Sequence, residues 1–215
     1  KIIPGLATEW KISDDGLTYT FTLAEGRKFA SGNVMTADDV VFSYNRLINV
    51  KGNPSSAAAT IESVTASDPK TVVIKLKQVD PAILAKLAFT GFAVTDSKTV
   101  KANGGTDAAD ADKTDTAEAW LSNNSVGTGP YMLTENDPNA RMVLQRNPNF
   151  HEQFYPCEGE PEDKKAGLLN DCGKRLPFID QIVFTREKEQ IPYWNKFLQG
   201  YYDISGISSD SFDQA

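Results

Sequence analysis

Leu6-Ala7-Thr8-Glu9-Trp10-Lys11-Ile12-Ser13-Asp14-Asp15-Gly16-Leu17-Thr18-Tyr19-Thr20-Phe21-Thr22-Leu23, followed by Thr36-Ala37-Asp38-Asp39-Val40-Val41-Phe42-Ser43, is the stretch from which the fold is read. Ser13-Asp14-Asp15-Gly16 is a turn, because its short polar side chains bond the backbone. Beyond it Leu17, Tyr19, Phe21 and Leu23 alternate with Thr18, Thr20 and Thr22, the period of two that marks a half-buried strand. Thr36 opens a helix whose apolar positions Val40, Val41, Tyr44, Leu47 and Ile48 form one stripe. The Thr36 hydroxyl can cap the first amides, Asp39 completes a weak capping box, and Asp38 and Asp39 place negative charge in the first turn. Gly52 and Pro54 end the helix.

Working outward, residues 61–64 and 71–76 are strand candidates, and Val72, Ile74 and Leu76 share a face. Asp80-Pro81 starts a short helix bearing Ile83, Leu84 and Leu87. Residues 96–119 hold Asn103-Gly104-Gly105, many Asp and Ala and no aromatic side chain, so a solvated excursion or short surface helix is expected there. Val126-Gly127-Thr128-Gly129-Pro130-Tyr131 is a tight entry into a strand. It pairs as a hairpin with residues 141–146 across the Asn136-Asp137-Pro138-Asn139 turn, and residue 126 is the best internal boundary. Strand 179–184, helix 191–198 and an outgoing strand 201–204 complete the reading. The outgoing strand lacks an obvious partner and Lys1 stands where an initiator Met would, so the chain is expected to be part of a larger fold.

The 215 residues carry 22 Lys plus Arg against 29 Asp plus Glu, a net charge of -7. No basic stripe is present, which argues against a nucleic-acid partner. No apolar run approaches the roughly 20 residues that cross a bilayer. His151 is the single histidine and lacks the second ligand of a zinc motif, so a surface role is favoured over a metal or acid-base site. Gly127-Thr128-Gly129 lacks the lysine of a phosphate loop, and Pro130 removes an amide donor. Cys157 and Cys172 allow one disulfide worth about 3 kcal/mol, which would place the protein in an oxidising compartment; two free buried thiols are the other reading. Among the aromatic residues, Trp120, Tyr131 and Phe150 are the candidate ligand-stacking side chains, with core packing as the plainer role of each.

The opening stretch closely resembles the family 5 extracellular solute-binding proteins, the oligopeptide, dipeptide, nickel and oligosaccharide receptors of bacterial ABC importers. Val126-Gly127-Thr128-Gly129-Pro130-Tyr131, Leu144-Gln145-Arg146-Asn147-Pro148-Asn149-Phe150, Ile179-Asp180-Gln181-Ile182-Val183-Phe184 and Gly200-Tyr201-Tyr202-Asp203-Ile204 agree with that family in order. The resemblance implies an α/β fragment of a two-lobed periplasmic-binding-protein fold of type II kind, with mixed sheets and flanking helices. It implies that residues 1–125 form an additional subdomain packed on lobe one, residues 126–200 part of ligand-binding lobe one, and residues 201–215 the start of a crossover to a second lobe. Trp10, Tyr19, Phe21 and Phe29 then secure the subdomain core, while Gly127, Gly129 and Pro130 mark re-entry into lobe one. The implied partners are a small solute, peptide or oligosaccharide, and, through the full-length protein, the membrane permease of an importer. The implied location is the periplasm or the outer face of the cell membrane. No cofactor, metal or catalytic residue is implied. Peptide receptors of this kind hold ligand termini with charged contacts often supplied by the second lobe, so none is carried over here. A non-transport interaction module on the same fold, or an acid-base hydrolase using His151, are the alternatives.

Overall fold

The computed structural model describes residues 2–187, 190–207 and 212. The alternation around Tyr19 places β2 (Thr18–Leu23) between β1 (Ala7–Ile12) and β4 (Thr71–Leu76), and β3 (Ile61–Asp68) lies outside β4. All pairings are antiparallel, with Trp10 opposite Phe21, Tyr19 opposite Ile74 and Val64 opposite Ile74 on its other side. Tyr19, Leu23, Val64, Val72, Ile74 and Leu76 are buried in one core with Phe29. Val40 and Tyr44 of α1 (Ala37–Val50) enter the same core. Each large apolar side chain so buried is worth about 1.5–3 kcal/mol.

Helix α1 is apolar on a second side that a single stripe does not capture. Phe42 is 2% exposed and packs with Val100, Ala117 and Val126, with Trp120 and Leu121 partly buried against them. Residues 96–119 are therefore not simply a solvated excursion. They carry three short helices, α3 (Ser97–Ala102), α4 (Ala111–Thr114) and, reaching to 121, α5 (Glu118–Leu121), wrapped over α1. Arg46 grips Asp115 with two bonds, Nε to Oδ2 at 2.7 Å and a terminal nitrogen to Oδ1 at 2.9 Å. The Gly104-Gly105 turn needs its missing side chains, since a Cβ on Gly105 would stand 2.3 Å from Val100 Cγ1. Small apolar side chains and satisfied carboxylates let a polar sequence pack closely.

The second sheet has the order β5-β6-β7, with β5 (Tyr131–Asn136), β6 (Arg141–Arg146) and β7 (Gln181–Thr185) antiparallel in sequence. Between β6 and β7 the Cys157–Cys172 disulfide closes a loop that contains α6 (Pro161–Lys165). α7 (Gln190–Leu198) follows β7. The strand expected at residues 201–204 is absent; this segment is bent, and Tyr201 and Ile204 are 74% and 87% exposed. Among the described residues nothing offers it a ladder, and an extended segment without one has no reason to persist.

Two carboxylates fasten these parts. Asp96 is fully buried and accepts from Ser31 Oγ at 2.5 Å, Asn33 Nδ2 at 2.8 Å, Thr99 Oγ1 at 2.6 Å and Thr99 N at 3.1 Å. Asp39 accepts from Thr36 N and Ser97 N, and from the hydroxyls of both residues. Burial raises the Asp96 pKa, but the bonds from Ser31, Thr99 and Asn33 together outweigh it and hold the carboxyl below its ordinary value. Burial likewise raises the Asp115 pKa, but Arg46 with the Thr106 and Ala117 amides more than offsets this and holds the carboxyl below its ordinary value. A depressed folded-state pKa gives stability that is complete above the unfolded value of about 3.9 and is lost as pH falls through the folded value. Replacing Asp96 by Ala is expected to cost about 2–4 kcal/mol, because four neutral donors lose a charged acceptor. Asp96→Asn is expected to flatten the loss of stability below pH 4. Urea unfolding at pH 7 and at pH 3 measures both, and an unchanged acid slope in Asp96→Asn would refute this role.

Candidate functional site

Pro130 has no amide proton, so the Gly127-Thr128-Gly129-Pro130 segment offers its carbonyls rather than a ring of donors. Three of those carbonyls are taken up inside the protein. Gly127 O accepts from Ala30 N at 2.9 Å, Gly129 O from Asn147 Nδ2 at 2.8 Å and Pro130 O from Asn147 N at 2.8 Å. Asn147 is 3% exposed, and its Oδ1 accepts from Asn149 N at 2.9 Å. Asn149 Nδ2 in turn donates to Ala30 O at 3.1 Å. Three distant segments, around residues 30, 128 and 148, thus form one seam where the four-stranded unit meets the three-stranded sheet. This use of the carbonyls fits a structural turn.

Tyr131 and Phe150 stand on this seam. Tyr131 pairs with Arg146 in the β5-β6 ladder and donates its hydroxyl to Ile179 O at 3.0 Å, which ties β5 to the entry of β7. The half-buried Phe150 ring lies 4.2 Å from the His151 ring. Trp120 lies elsewhere, against the Phe42 and Val126 cluster, with its carbonyl accepting from Asn124 Nδ2. Among the described residues no aromatic contact joins Trp120 to Tyr131 or Phe150. Of the opening-motif residues, Tyr19, Phe29 and Asp39 are buried, Asp38 is exposed at the helix start, and Trp10 and Phe21 are half-buried. His151 makes no hydrogen bond or ion pair to a carboxylate among the described residues, and no group of three metal-ligating side chains occurs among them. No helix among the described residues is long and apolar enough to cross a membrane. Asn147 and Asn149 are the seam residues that sequence reasoning missed. Their signal was the Asn-Pro-Asn run, since Asn side chains bond the backbone two residues on.

A sequence profile of the bacterial extracellular solute-binding proteins, family 5 Middle, matches residues 1–215. The chain is 32% identical over 196 residues to the probable D,D-dipeptide-binding periplasmic protein DdpA of Escherichia coli K12, covering 86% of this chain and 36% of that protein. It is 30% identical over 201 residues to the periplasmic murein peptide-binding protein MppA of the same organism, covering 80% of this chain and 34% of that one. In fold it is similar to the substrate-binding domain of an oligopeptide ABC transporter from Bacillus anthracis, with a TM-score of 0.74 at 24% identity, over 99% of this chain and 38% of that one. The chain therefore spans about a third of the length of the curated relatives it matches.

The Asn147 amide is the point at which the seam is most exposed to test. Asn147→Ala leaves the Gly129 carbonyl and the Asn149 amide without partners, and is expected to destabilise the protein by about 2–3 kcal/mol. Asn147→Asp should do no better, since it sets a carboxylate against the Gly129 carbonyl. Chemical denaturation reads both, and a loss below about 0.5 kcal/mol in Asn147→Ala would show that the seam is held by other contacts.

Proposed function

The chain belongs to the bacterial extracellular solute-binding proteins, family 5, and on that premise we propose that the whole protein captures a small solute outside the cytoplasm and delivers it to an ABC importer. The observation that carries this reading is the family match along the entire 215 residues, together with relatives that are themselves peptide-binding periplasmic proteins. A peptide is the proposed solute class, with an oligosaccharide second. The proposed location is the periplasm, and the proposed partners are the membrane subunits of the importer.

In this reading residues 1–125 form the additional subdomain, residues 126–200 belong to lobe one, and residues 201–215 begin the crossover to lobe two. Of that last segment, residues 208–211 and 213–215 lie outside the described residues. Tyr131 and Phe150 are the side chains proposed to face solute, because they sit beside a fixed seam on the lobe-one sheet. Trp120, the third candidate, is proposed to act through packing. A cleft closed from two sides strengthens binding by surrounding the ligand and expelling water, so one lobe alone should bind poorly.

Isothermal titration of the complete protein against dipeptides, tripeptides and oligosaccharides tests this. One class is expected to bind the complete protein with submicromolar Kd, while residues 1–215 alone bind at least 100-fold more weakly, about 2.7 kcal/mol of lost contact. Absence of binding to any class by the complete protein would overturn the capture role. Equal affinity in the fragment would overturn the two-lobed site.

A further inference from the structure

The two sheets differ in how they are closed. α1 and α2 (Ile83–Leu87) set apolar side chains into the core over the first sheet, where Val72, Ile74 and Leu76 are buried. The second sheet has no such cover among the described residues. Its register puts Leu133 opposite Leu144, Leu144 opposite Ile182 and Met142 opposite Phe184, and directly paired residues of an antiparallel ladder share a face. These five side chains therefore make one apolar surface across all three strands. The other face is largely polar: Gln145 stands opposite Gln181, and Arg141 holds Glu135 through two bonds of 2.9 and 3.0 Å.

An antiparallel sheet of this pattern packs its apolar face and wets its polar one. Here the apolar face is poorly packed. Leu133, Met142, Leu144 and Ile182 are only half-buried, Phe184 is 52% exposed, and none of the five belongs to either apolar core among the described residues. Exposed apolar side chains continue beyond β7 at Leu198, Tyr201 and Ile204. α7 carries a second observation of the same kind: Trp194 is 7% exposed, and its indole Nε1 is buried without an acceptor among the described residues. A buried N–H in a finished fold has a partner.

The relatives indicate what closes the face. The chain spans about a third of the length of the curated relatives it matches, so the greater part of each relative lies outside the matched region. A segment of the same polypeptide is tethered to the sheet and reaches it without the full translational cost that a separate partner bears. We propose that the face formed by Leu133, Met142, Leu144, Ile182 and Phe184 is the docking surface for an apolar segment of the same polypeptide from outside residues 1–215. The second sheet and that segment then share one core, whereas the first sheet is closed by its own helices. The proposal rests on the length of the family's members and not on the solute they carry, so a failed solute titration leaves it standing.

The test compares Phe184→Cys in the complete protein and in the 1–215 chain, by the rate of thiol labelling under non-reducing conditions that keep the Cys157–Cys172 disulfide closed. Labelling of the complete protein is expected to be about 100-fold or more slower, since a buried site reacts only through opening. Met142→Cys is the second reporter should the first perturb folding, and Gln145→Cys, on the polar face, is expected to label at the same rate in both. Photoreactive benzoylphenylalanine at position 184 of the complete protein is expected to cross-link within one chain to a residue outside 1–215, independently of protein concentration. Equal labelling of the two apolar-face reporters in both proteins overturns the proposal, as does equal protection of Gln145→Cys. A cross-link to a residue within 1–215, or to a second copy of the chain, overturns it too, the first by showing that the sheet closes on itself and the second by making the face a dimer interface.

Discussion

The structure depends on burying two carboxylates without a cation beside either. Asp39 and Asp96 are 5% and 0% exposed, and each is satisfied by neutral hydroxyl, amide and backbone donors. A buried charge left unpaired would cost several kcal/mol, so the surrounding donors must be held in place. That requirement fixes the loop at residues 31–36, the start of α1 and the start of α3 against one another. The Asp96 amide extends the same junction by donating to Val126 O, the residue that leads into the second sheet. A single patch of polar chemistry thus sets where the two sheets meet.

Helix α1 works as a wall between two cores. One side closes over β3 and β4, and the other receives Phe42 among Val100, Ala117 and Val126. The consequence reaches the seam, because Val126 precedes the carbonyls that Ala30 and Asn147 hold. Tyr131 and Phe150 are thereby carried on a rigid frame rather than on loose loops. Such pre-organisation reduces the ordering cost of binding, which would suit the solute-facing role proposed for Tyr131 and Phe150.

Much of the fold was legible locally. The turn at Ser13-Asp14-Asp15-Gly16, the alternation through β2, the capped start of α1 and the hairpin of β5 and β6 follow from periodicity and turn chemistry acting over fewer than about ten residues. The same local logic allowed a short helix within residues 96–119 but missed the burial there, because an Asp at the start of an acidic, aromatic-free run gives no sign that Ser31 and Asn33 wait for it 65 and 63 residues away. It also placed a strand at residues 201–204, where aromatic and β-branched residues satisfy strand propensity but no neighbouring ladder is present among the described residues.

The amino-acid sequence by itself determined the elements and the family, since both are written in short-range patterns and in their order along the chain. Only the tertiary structure decided which polar side chains are buried, how the Asn149 amide reaches Ala30 across 119 residues, and where the second sheet is left uncovered. The physical reason is that a hydrogen bond or a void between remote segments depends on how whole elements dock, and docking leaves no mark on the composition of either segment alone.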